Sequence, residues 1–457
     1  MIIRTISMKL LLDSNVFEDA KRDNVLSDNL DDLRNILKEA SIELDNRPLL
    51  IDDLKSFADL YDFIITENRD IHKISNESGI SDKVLLLDEA LQIFKGYLTR
   101  DRITIPPALR SEDVKNLDYS DPILDSLKEK YNPEFERWFK KISDQGRKSW
   151  VYYRTDGSIG ALLIYKFEDE SIDDSKPSLP KKKRLKIATL KVTHIGYKIG
   201  ELFIKMAVDV SVRRGINEIY LTHFTEPPDR LVELISEYGF NKVATKDNGE
   251  DIFAKRLTAK GYEELKDCSP IEISRIFYPS FYDGDDVKKF VVPIQPAFHN
   301  KLFTDFPNRQ TTLFEHSGEF IIEGNTIRKA YLSHSNIKKI SPGDLILFYR
   351  SEDLQAIISI GVIESIHIGI SDAEKILQLA GKRTVFSRPE IDKLVGEGPV
   401  SVFLFRHHIH LTKPLGIKEL IENGIIKDSP RSAMELSPEG YAKIKEMGGI
   451  DGRFTIH

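Results

Sequence analysis

A glycine-bearing turn near the middle of the chain has the residues and the spacing to bind a phosphate group. Residues 187–193 alternate in the manner of a strand, and the turn at 194–200 contains two glycines. An amphipathic helical pattern follows and ends at Gly215. At such a junction the first amides of the helix face an anion, and glycine lets the anion approach the main chain closely. The pattern therefore predicts a pyrophosphate site.

Nucleotides and coenzyme A both carry a pyrophosphate. The turn is not followed by the Gly-Lys-Ser/Thr of a P-loop, and a dinucleotide fold would also require a third glycine and a further βαβ unit. Neither kind of nucleotide site fits this turn. The sequence therefore favours coenzyme A.

Residues 110–260 resemble the GNAT acetyltransferase family. The predicted hairpin at 150–165 and the turn at 194–200 carry the resemblance. It implies a mixed α/β sheet, acetyl-CoA as the cofactor, and an acetyl arm held by backbone groups of Leu190 and Val192. It also implies that the amides of the turn and of the helix start hold the pyrophosphate. These residues are Gly196, Tyr197, Lys198, Ile199, Gly200 and Glu201.

Three positions depart from the residues usual in that family. Ile195 and Lys198 stand where its signature has Gln/Arg and glycine, and Ile235 stands where many members have a tyrosine that acts as general acid. The proton donor must therefore come from elsewhere. Glu226 and His223, just after the next predicted strand, are the candidate base and proton donor. Lysine at position 198 also adds a cation beside the predicted pyrophosphate.

Acidic residues near the amino terminus lie at the ends of predicted strands. Asp13 follows a short apolar run, and Asp62 and Asp70 flank a second one. A further apolar run at 84–87 and helical patterns between the runs indicate a parallel α/β sheet. We expect this sheet to bring the three carboxylates toward one edge.

These residues resemble the PIN domain, a metal-dependent ribonuclease fold. Leu-Asp-Ser-Asn at 12–15 matches its first motif, and Thr-x-Asn-x-Asp at 66–70 matches its late motif. The resemblance implies that Asp13, Asp62 and Asp70 bind magnesium or manganese and catalyse RNA cleavage. The region between the motifs is short for the family. The candidates for its further acidic residue are Glu39 and Glu43.

The C-terminal region, residues 287–457, has a β-rich pattern. Pro-Gly-Asp at 342–344 precedes an apolar strand that ends in Tyr-Arg, and residues 324–331 form a second characteristic segment. This region resembles PUA-like domains of the EVE or ASCH type, although it does not meet the Gly-x-Lys-x-x-Glu-x-Arg pattern of ASCH domains. The resemblance implies a β-barrel that binds RNA or a modified base by stacking and phosphate contacts. The implied contact residues are Lys329, Tyr331, Tyr349 and Arg350.

The sequence His407-His408-x-His410 is a further candidate for metal binding. Strand alternation would place His408 and His410 on one face and His407 on the opposite face. No cysteine or further acidic residue lies at ligand spacing nearby. We therefore expect these histidines to have a structural or surface role rather than to bind zinc.

Length and composition indicate a protein of several domains. The chain has 457 residues, of which 40% are hydrophobic and 30% are charged. Its net charge is −7, so nucleic acid would have to bind through a local basic surface. The expected domains are a PIN-like domain at 1–107, a GNAT domain at 108–260, a linker at 261–286 and a PUA-like domain at 287–457.

Cysteine usage and hydropathy indicate the compartment. Cys268 is the only cysteine, which excludes intramolecular disulfides and favours a reducing environment. The sequence has no apolar run long enough to cross a membrane, and its amino terminus lacks the apolar region of a signal peptide. We therefore expect a cytoplasmic protein with no membrane partner.

Three functions fit these features. The leading one is an acetyl-CoA-dependent N-acetyltransferase that acts on an RNA-linked amine, such as an aminoacyl-tRNA or a base, because regions resembling a nuclease and an RNA reader flank the acetyltransferase. The second is a metal-dependent PIN-type ribonuclease, a toxin or defence effector, whose GNAT-like domain senses a metabolite. The third is a non-enzymatic RNA-binding adaptor. All three predict RNA, foremost tRNA, or a modified nucleotide as the partner.

Overall fold

The computed structural model describes most of the chain in two compact units. The described residues are 8–21, 24–40, 42–78, 80, 83–98, 108–154, 156–193, 198–226, 230–259, 261, 264–306, 319–321, 326–335 and 337–457. The first unit is formed from Met1–Ile105, Ala330–Lys338 and Ile366–Leu404, as far as these are described. The second unit is formed from the described residues of Pro106–Lys329, Lys339–Ser365 and Phe405–His457.

Both units contain helices and strands in their described residues. The helices are α1 (Asn15–Ala20), α2 (Asn24–Glu39), α3 (Leu54–Leu60), α4 (Arg69–Glu77), α5 (Leu87–Leu98), α6 (Asp125–Lys130), α7 (Glu134–Asp144), α8 (Ile199–Arg213), α9 (Arg230–Glu237), α10 (Pro270–Ile276), α11 (Pro296–Leu302), α12 (Ala373–Ala380), α13 (Arg388–Glu397), α14 (Ile417–Glu422) and α15 (Pro438–Met447). The strands are β1 (Lys9–Asp13), β2 (Glu43–Arg47), β3 (Phe63–Ile65), β4 (Val84–Leu85), β5 (Ala108–Asp113), β6 (Lys148–Tyr153), β7 (Ile159–Ile172), β8 (Ser175–Lys176), β9 (Leu179–Val192), β10 (Glu218–His223), β11 (Asn241–Lys246), β12 (Asp251–Arg256), β13 (Phe281–Tyr282), β14 (Lys289–Ile294), β15 (Glu319–Ile321), β16 (Arg328–Ser333), β17 (Leu345–Arg350), β18 (Ala356–Ile370), β19 (Val400–Gly416), β20 (Met434–Glu435) and β21 (Thr455–Ile456).

The first unit is built on a parallel sheet with the strand order β2-β1-β3-β4. The inner strands are apolar on both faces, as strands of a parallel sheet that is covered on both sides usually are. Leu10 and Leu12 of β1 face a core shared with α2 and α5. Leu11 faces a second core shared with α3 and α4. The alternation along β1 thus places helices on both faces of the sheet.

The larger sheet of the second unit is mixed, with the order β15-β5-β6-β7-β9-β10-β12-β11-β8. Strand β9 is antiparallel to β7 and parallel to β10, which is itself antiparallel to β12. On one face α8 packs through residues such as Leu202 and Phe203. On the other face α7 packs through Phe135 and Phe139. The strands that carry the candidate site are therefore held between two layers of helix.

Another sheet with strands in this unit has the order β16-β19-β18-β17-β14-β20. Strands β14 and β17 are parallel, whereas β17 and β18 are antiparallel. Its apolar core joins Leu345, Leu347 and Ile357 to the helices α14 and α15. At this level the chain is a mixed α/β protein with a parallel sheet and mixed sheets, as predicted. The closed PUA-like barrel stays a prediction.

The basic run 181–184 belongs to β9. Cross-strand pairing accommodates its charge, because Lys182, Lys183 and Arg184 lie opposite the acidic residues 168–170 of β7. Arg184 is buried, and its Nε donates to Glu218 Oε1 at 2.6 Å. Much of the positive charge is therefore neutralised within the sheet.

In the described residues, no helix is at once long enough and apolar enough to cross a membrane.

Candidate active site

Strands β9 and β10 run together for three residue pairs and then separate. Their pairing ends at Ile187 and Leu221, although β9 continues to Val192. A bulge lies at the same point, because Ile187 pairs with Tyr165 of β7 while Thr189 pairs with Ile164, which leaves Ala188 as the extra residue. Bulges bend a strand locally and are frequent beside active sites. Beyond Ile187 and Leu221 the two strands are no longer paired, and the gap between their carboxyl ends is called the notch below.

Backbone groups of Leu190 and Val192 face this notch. The Thr193 amide donates to the Gly160 carbonyl of β7 at 2.9 Å, so the polar groups of Thr193 point toward β7. Backbone polar groups alternate between the two edges of a strand. Those of Leu190 and Val192 therefore point away from β7, toward the edge that β10 has left. The predicted role of these two residues depends on this orientation.

Six residues separate the end of β9 from the start of helix α8. Its N-cap, Lys198, has φ 52° and ψ 31°, a left-handed conformation that glycine adopts without strain. The first intrahelical bond runs from the Leu202 amide to the Lys198 carbonyl at 3.0 Å. The amides of Ile199, Gly200 and Glu201 precede it, so they have no acceptor within the helix, and they donate to no other backbone carbonyl among the described residues. Amides in this position can bind an anion. Gly196 and Tyr197, which were predicted to take part, lie outside the described residues.

Two of the residues predicted to bind the pyrophosphate, Gly200 and Glu201, have Cβ directions that lead to other parts of the protein. A Cβ atom on Gly200 would lie 2.6 Å from Leu234 Cδ2 of α9, so glycine here permits close packing of two helices. The Glu201 carboxylate is buried and accepts the Arg328 amide at 2.8 Å. Only the backbone amides of these residues are therefore suited to bind a phosphate.

Acetyltransferases of the GNAT family are among the solved structures that resemble this chain. One from Listeria monocytogenes has 18% sequence identity and a TM-score of 0.22, covering 29% of this chain and 83% of its own. Arylalkylamine N-acetyltransferase 2 from Aedes aegypti has 12% identity and a TM-score of 0.24, covering 32% of this chain and 98% of its own.

A likeness to an ASCH protein is found as well. The protein from Zymomonas mobilis has 16% identity and a TM-score of 0.26, covering 35% of this chain and 95% of its own. No protein-family model matches the sequence, and no curated protein matches it. At these TM-scores the structural likenesses carry no functional weight, so function must be inferred from the geometry of the chain.

A carboxylate that the sequence did not single out lies beside the notch. Glu250, in the β11–β12 hairpin, is 6% exposed and accepts hydrogen bonds from three side chains. The donors are the Tyr131 hydroxyl at 2.6 Å, the Thr222 hydroxyl at 3.2 Å and the Asn248 amide at 3.0 Å. Thr222 directly follows the last residue of β10 that pairs with β9. Burial and the Glu250 carboxylate both raise the pKa of Tyr131, so this phenol keeps its proton at neutral pH.

The two predicted catalytic residues of this region lie nearby but are differently placed. His223 ends β10 opposite Asp251 of β12. Glu226 is exposed in the segment that follows. Because Glu250 is buried and lies beside Thr222, it is better placed than Glu226 to act in the notch. The nearest sequence signal is an acidic residue directly after a glycine, in Gly249-Glu250-Asp251.

The structure does not bring the three predicted acidic residues of the first unit together. Asp13 ends β1, whereas Asp62 precedes β3 and accepts the amide of Lys9, the first residue of β1, at 2.7 Å. Asp13 and Asp62 therefore lie at opposite edges of the parallel sheet. The two ends of β1 are roughly 13 Å apart at about 3.3 Å per residue. Asp70 is exposed in the first turn of α4, on the same edge as Asp13. The expectation of one edge for all three was wrong.

Asp13 itself is fully buried and occupied by hydrogen bonds. One carboxylate oxygen accepts the Thr66 hydroxyl at 2.7 Å, and the other accepts the amides of Asn15 and Leu49 at 3.2 and 3.3 Å. These bonds tie the carboxyl ends of β1 and β3 together. Among the described residues, Asp13, Asp62 and Asp70 do not form a group with metal-ligand spacing.

The four residues predicted to contact nucleic acid are buried. Lys329, Tyr331, Tyr349 and Arg350 are 1%, 5%, 0% and 6% exposed, because β16 and β17 are covered on both faces. The Arg350 guanidinium donates to Asp353 Oδ1 at 2.8 Å and to Asn300 Oδ1 at 2.8 Å. Burial lowers the pKa of Lys329 to about 7. None of the four presents a surface on which a base can stack, so this prediction is corrected.

Proposed function

We propose that this protein is an acetyl-CoA-dependent N-acetyltransferase. The observation that supports the proposal is the bulge at Ala188, where β9 leaves β10 and turns the backbone groups of Leu190 and Val192 toward the notch. An extended arm that contains amides can pair with such an open strand edge, as an added strand does. The first amides of α8 then suit the pyrophosphate. Coenzyme A has both an amide-containing arm and a pyrophosphate.

Transfer of an acetyl group to an amine also requires a proton acceptor. The new N–C bond forms as the C–S bond breaks, and the attacking nitrogen loses a proton. In this proposal the Glu250 carboxylate takes that proton, held in place by Tyr131 and Thr222. His223 is the proposed donor to the departing sulfur. The backbone groups of Leu190 and Val192 align the acetyl arm for attack.

For the acceptor we propose a primary amine, with an RNA-linked amine as the specific form that the sequence predicts. The RNA-linked acceptor is supported by the two flanking regions, whose sequences resemble proteins that cleave or bind RNA. The burial of Lys329, Tyr331, Tyr349 and Arg350 removes those four contacts from the proposal. RNA would have to bind through other residues.

Thiol release from acetyl-CoA by the full-length protein tests this proposal. Aminoacyl-tRNA, deacylated tRNA and free amino acids serve as alternative acceptors. We expect Glu250→Gln to lower kcat about a hundredfold or more, with little change in the KM for acetyl-CoA. Glu226→Gln, a matched exposed carboxylate, should change kcat less than about threefold.

Three outcomes would each correct part of the account. Equal rates with free amino acids and aminoacyl-tRNA would remove the RNA-linked acceptor. A large loss of kcat in Glu226→Gln, with Glu250→Gln still active, would show that Glu226 and not Glu250 is the base. No thiol release with any amine would count against acetyl transfer.

We do not propose the ribonuclease function. Its predicted metal ligands do not share an edge of the sheet, and the Asp13 carboxylate is occupied by three hydrogen bonds.

A further inference from the structure

Two histidines and an aspartate of the second unit form a group with metal-ligand spacing. The ligand atoms of Asp305, His407 and His410 all lie within 4.8 Å of one another. His407 and His410 belong to β19, and their rings are 4.5 Å apart between centroids. The alternation expected from the sequence is therefore wrong here, because His407 and His410 approach the same site. Asp305 follows α11 and is about 100 residues away in the chain, which is why the sequence did not reveal it.

His407 is the unusual member of this group. It is 2% exposed, and neither ring nitrogen has a hydrogen-bond partner among the described residues. Burying a polar group without a partner costs free energy, on the order of 1–3 kcal/mol for one lost hydrogen bond. Such a group in a folded protein requires an explanation, and an unseen ion is one of the usual ones. A metal ion would use one of these nitrogens directly.

His410 is already oriented as a metal ligand. Its Nδ1 lies 2.8 Å from the Ser359 hydroxyl, and its Nε2 lies 3.1 Å from Asp305 Oδ1. Ligating histidines usually fix the ring by a hydrogen bond from the nitrogen that does not bind metal. Bond lengths of about 2.0–2.1 Å in a tetrahedral site place neighbouring ligand atoms roughly 3.3 Å apart. The His410–Asp305 distance is close to that value.

The surroundings give the site a low polarity and a balanced charge. The rings of Phe303 and Phe306 pack on the two imidazoles, with centroid distances of 5.0–5.7 Å. The second oxygen of Asp305 pairs with the ammonium of Lys205 on α8. Asp209, one helical turn along α8, favours the charged form of Lys205, and Lys329 is a second basic residue that acts on His407. A divalent ion on the first oxygen of Asp305 would therefore leave the Lys205 pair in place.

We infer that Asp305, His407 and His410 bind one divalent transition-metal ion, for which Zn²⁺ is the first probe. Two imidazoles and a carboxylate are a donor set that zinc, iron and cobalt accept, and three protein ligands leave a position for water. His407 needs only a small side-chain adjustment to complete the site, since its ligand atom lies within 4.8 Å of the others. The site does not depend on the acetyltransferase proposal.

The test uses the full-length protein after chelator treatment and dialysis. Calorimetric titration with Zn²⁺ should give one saturable site per chain. X-ray absorption of the zinc-loaded protein should show two imidazole ligands and oxygen, with no sulfur. His407→Ala and Asp305→Asn should each weaken the affinity by about a hundredfold or more, and Ser359→Ala by about tenfold. Circular dichroism of each variant checks that it folds.

A neighbouring histidine provides the matched control. His408 is also buried in β19, but both of its nitrogens are bonded, to the Ser274 hydroxyl at 2.6 Å and the Pro279 carbonyl at 2.8 Å. His408→Gln should keep the zinc stoichiometry and affinity. The absence of saturable binding by the wild type would overturn the inference. So would binding that His407→Ala leaves unchanged, or an absorption spectrum without two imidazoles.

Discussion

At the scale of single residues, Lys198 combines a strained backbone with a useful position. Its φ of 52° is in the left-handed region, where a residue with a Cβ atom pays roughly 1–2 kcal/mol. The same position directly precedes the three open amides of α8. The glycine of the family signature would remove the strain, whereas lysine adds a charge beside the proposed pyrophosphate.

Comparison of two variants separates these effects. Lys198→Ala and Lys198→Gly both remove the ammonium, but only the glycine relieves the left-handed conformation. We expect both to weaken acetyl-CoA binding about tenfold, which corresponds to roughly 1.4 kcal/mol. The free energy of unfolding of Lys198→Gly should be about 1 kcal/mol higher than that of Lys198→Ala. Calorimetry and urea unfolding measure the two quantities, and wild-type affinity in both variants would remove Lys198 from the site.

Some candidate residues were predicted at the wrong place because a sequence does not show which faces of a strand are covered. Asp13 follows its strand and Asp62 precedes its own, so their separation in a parallel sheet was already implied by strand direction. The burial of Tyr331 and Tyr349 was not implied, because an apolar strand with aromatic residues fits a surface platform and a covered strand equally well. The burial of successive residues on both faces of β16 and β17 decides between the two.

At the scale of elements, the strand that ends at Val192 and the helix Ile199–Arg213 were predictable because periodicity is a local signal. The bulge at Ala188 was not, since neither glycine nor a change of pattern marks it. It is visible only in the register against β7. The direction in which Gly200 allows a close approach also differs from the prediction. Its sequence position suggested room for a phosphate, whereas the structure shows close packing against Leu234 of α9.

A double substitution tests this packing. Gly200→Val should lower the free energy of unfolding by about 1–3 kcal/mol, because the new side chain overpacks the α8–α9 contact. Leu234→Ala in the same protein should recover part of that loss, giving a favourable coupling in a double-mutant cycle. Urea unfolding of the four proteins provides the values. Strictly additive effects would show that Gly200 does not serve this contact.

At the scale of the whole molecule, both candidate sites depend on residues far apart in the chain. Tyr131 and Glu250 are separated by 119 positions, and Asp305 and His410 by 105. Each pair was beyond local pattern analysis, because its spacing has no periodicity and only the folded sheet brings it together. The predicted metal chemistry of the first unit also required Asp62, and the sheet places Asp62 at the edge opposite Asp13 and Asp70.

The central claim is that the open edge of β9 binds acetyl-CoA, and Val192→Pro tests it directly. Proline removes the Val192 amide, which faces the notch and takes no part in pairing with β7, so the sheet keeps its hydrogen bonds. Val192→Ala keeps the amide and serves as the control. In calorimetric titrations of the full-length protein, we expect wild type and Val192→Ala to bind acetyl-CoA with Kd values within about threefold of each other. The loss of one or two hydrogen bonds should weaken Val192→Pro about tenfold or more. Wild-type affinity in a folded Val192→Pro, or no binding by the wild type, would contradict the account.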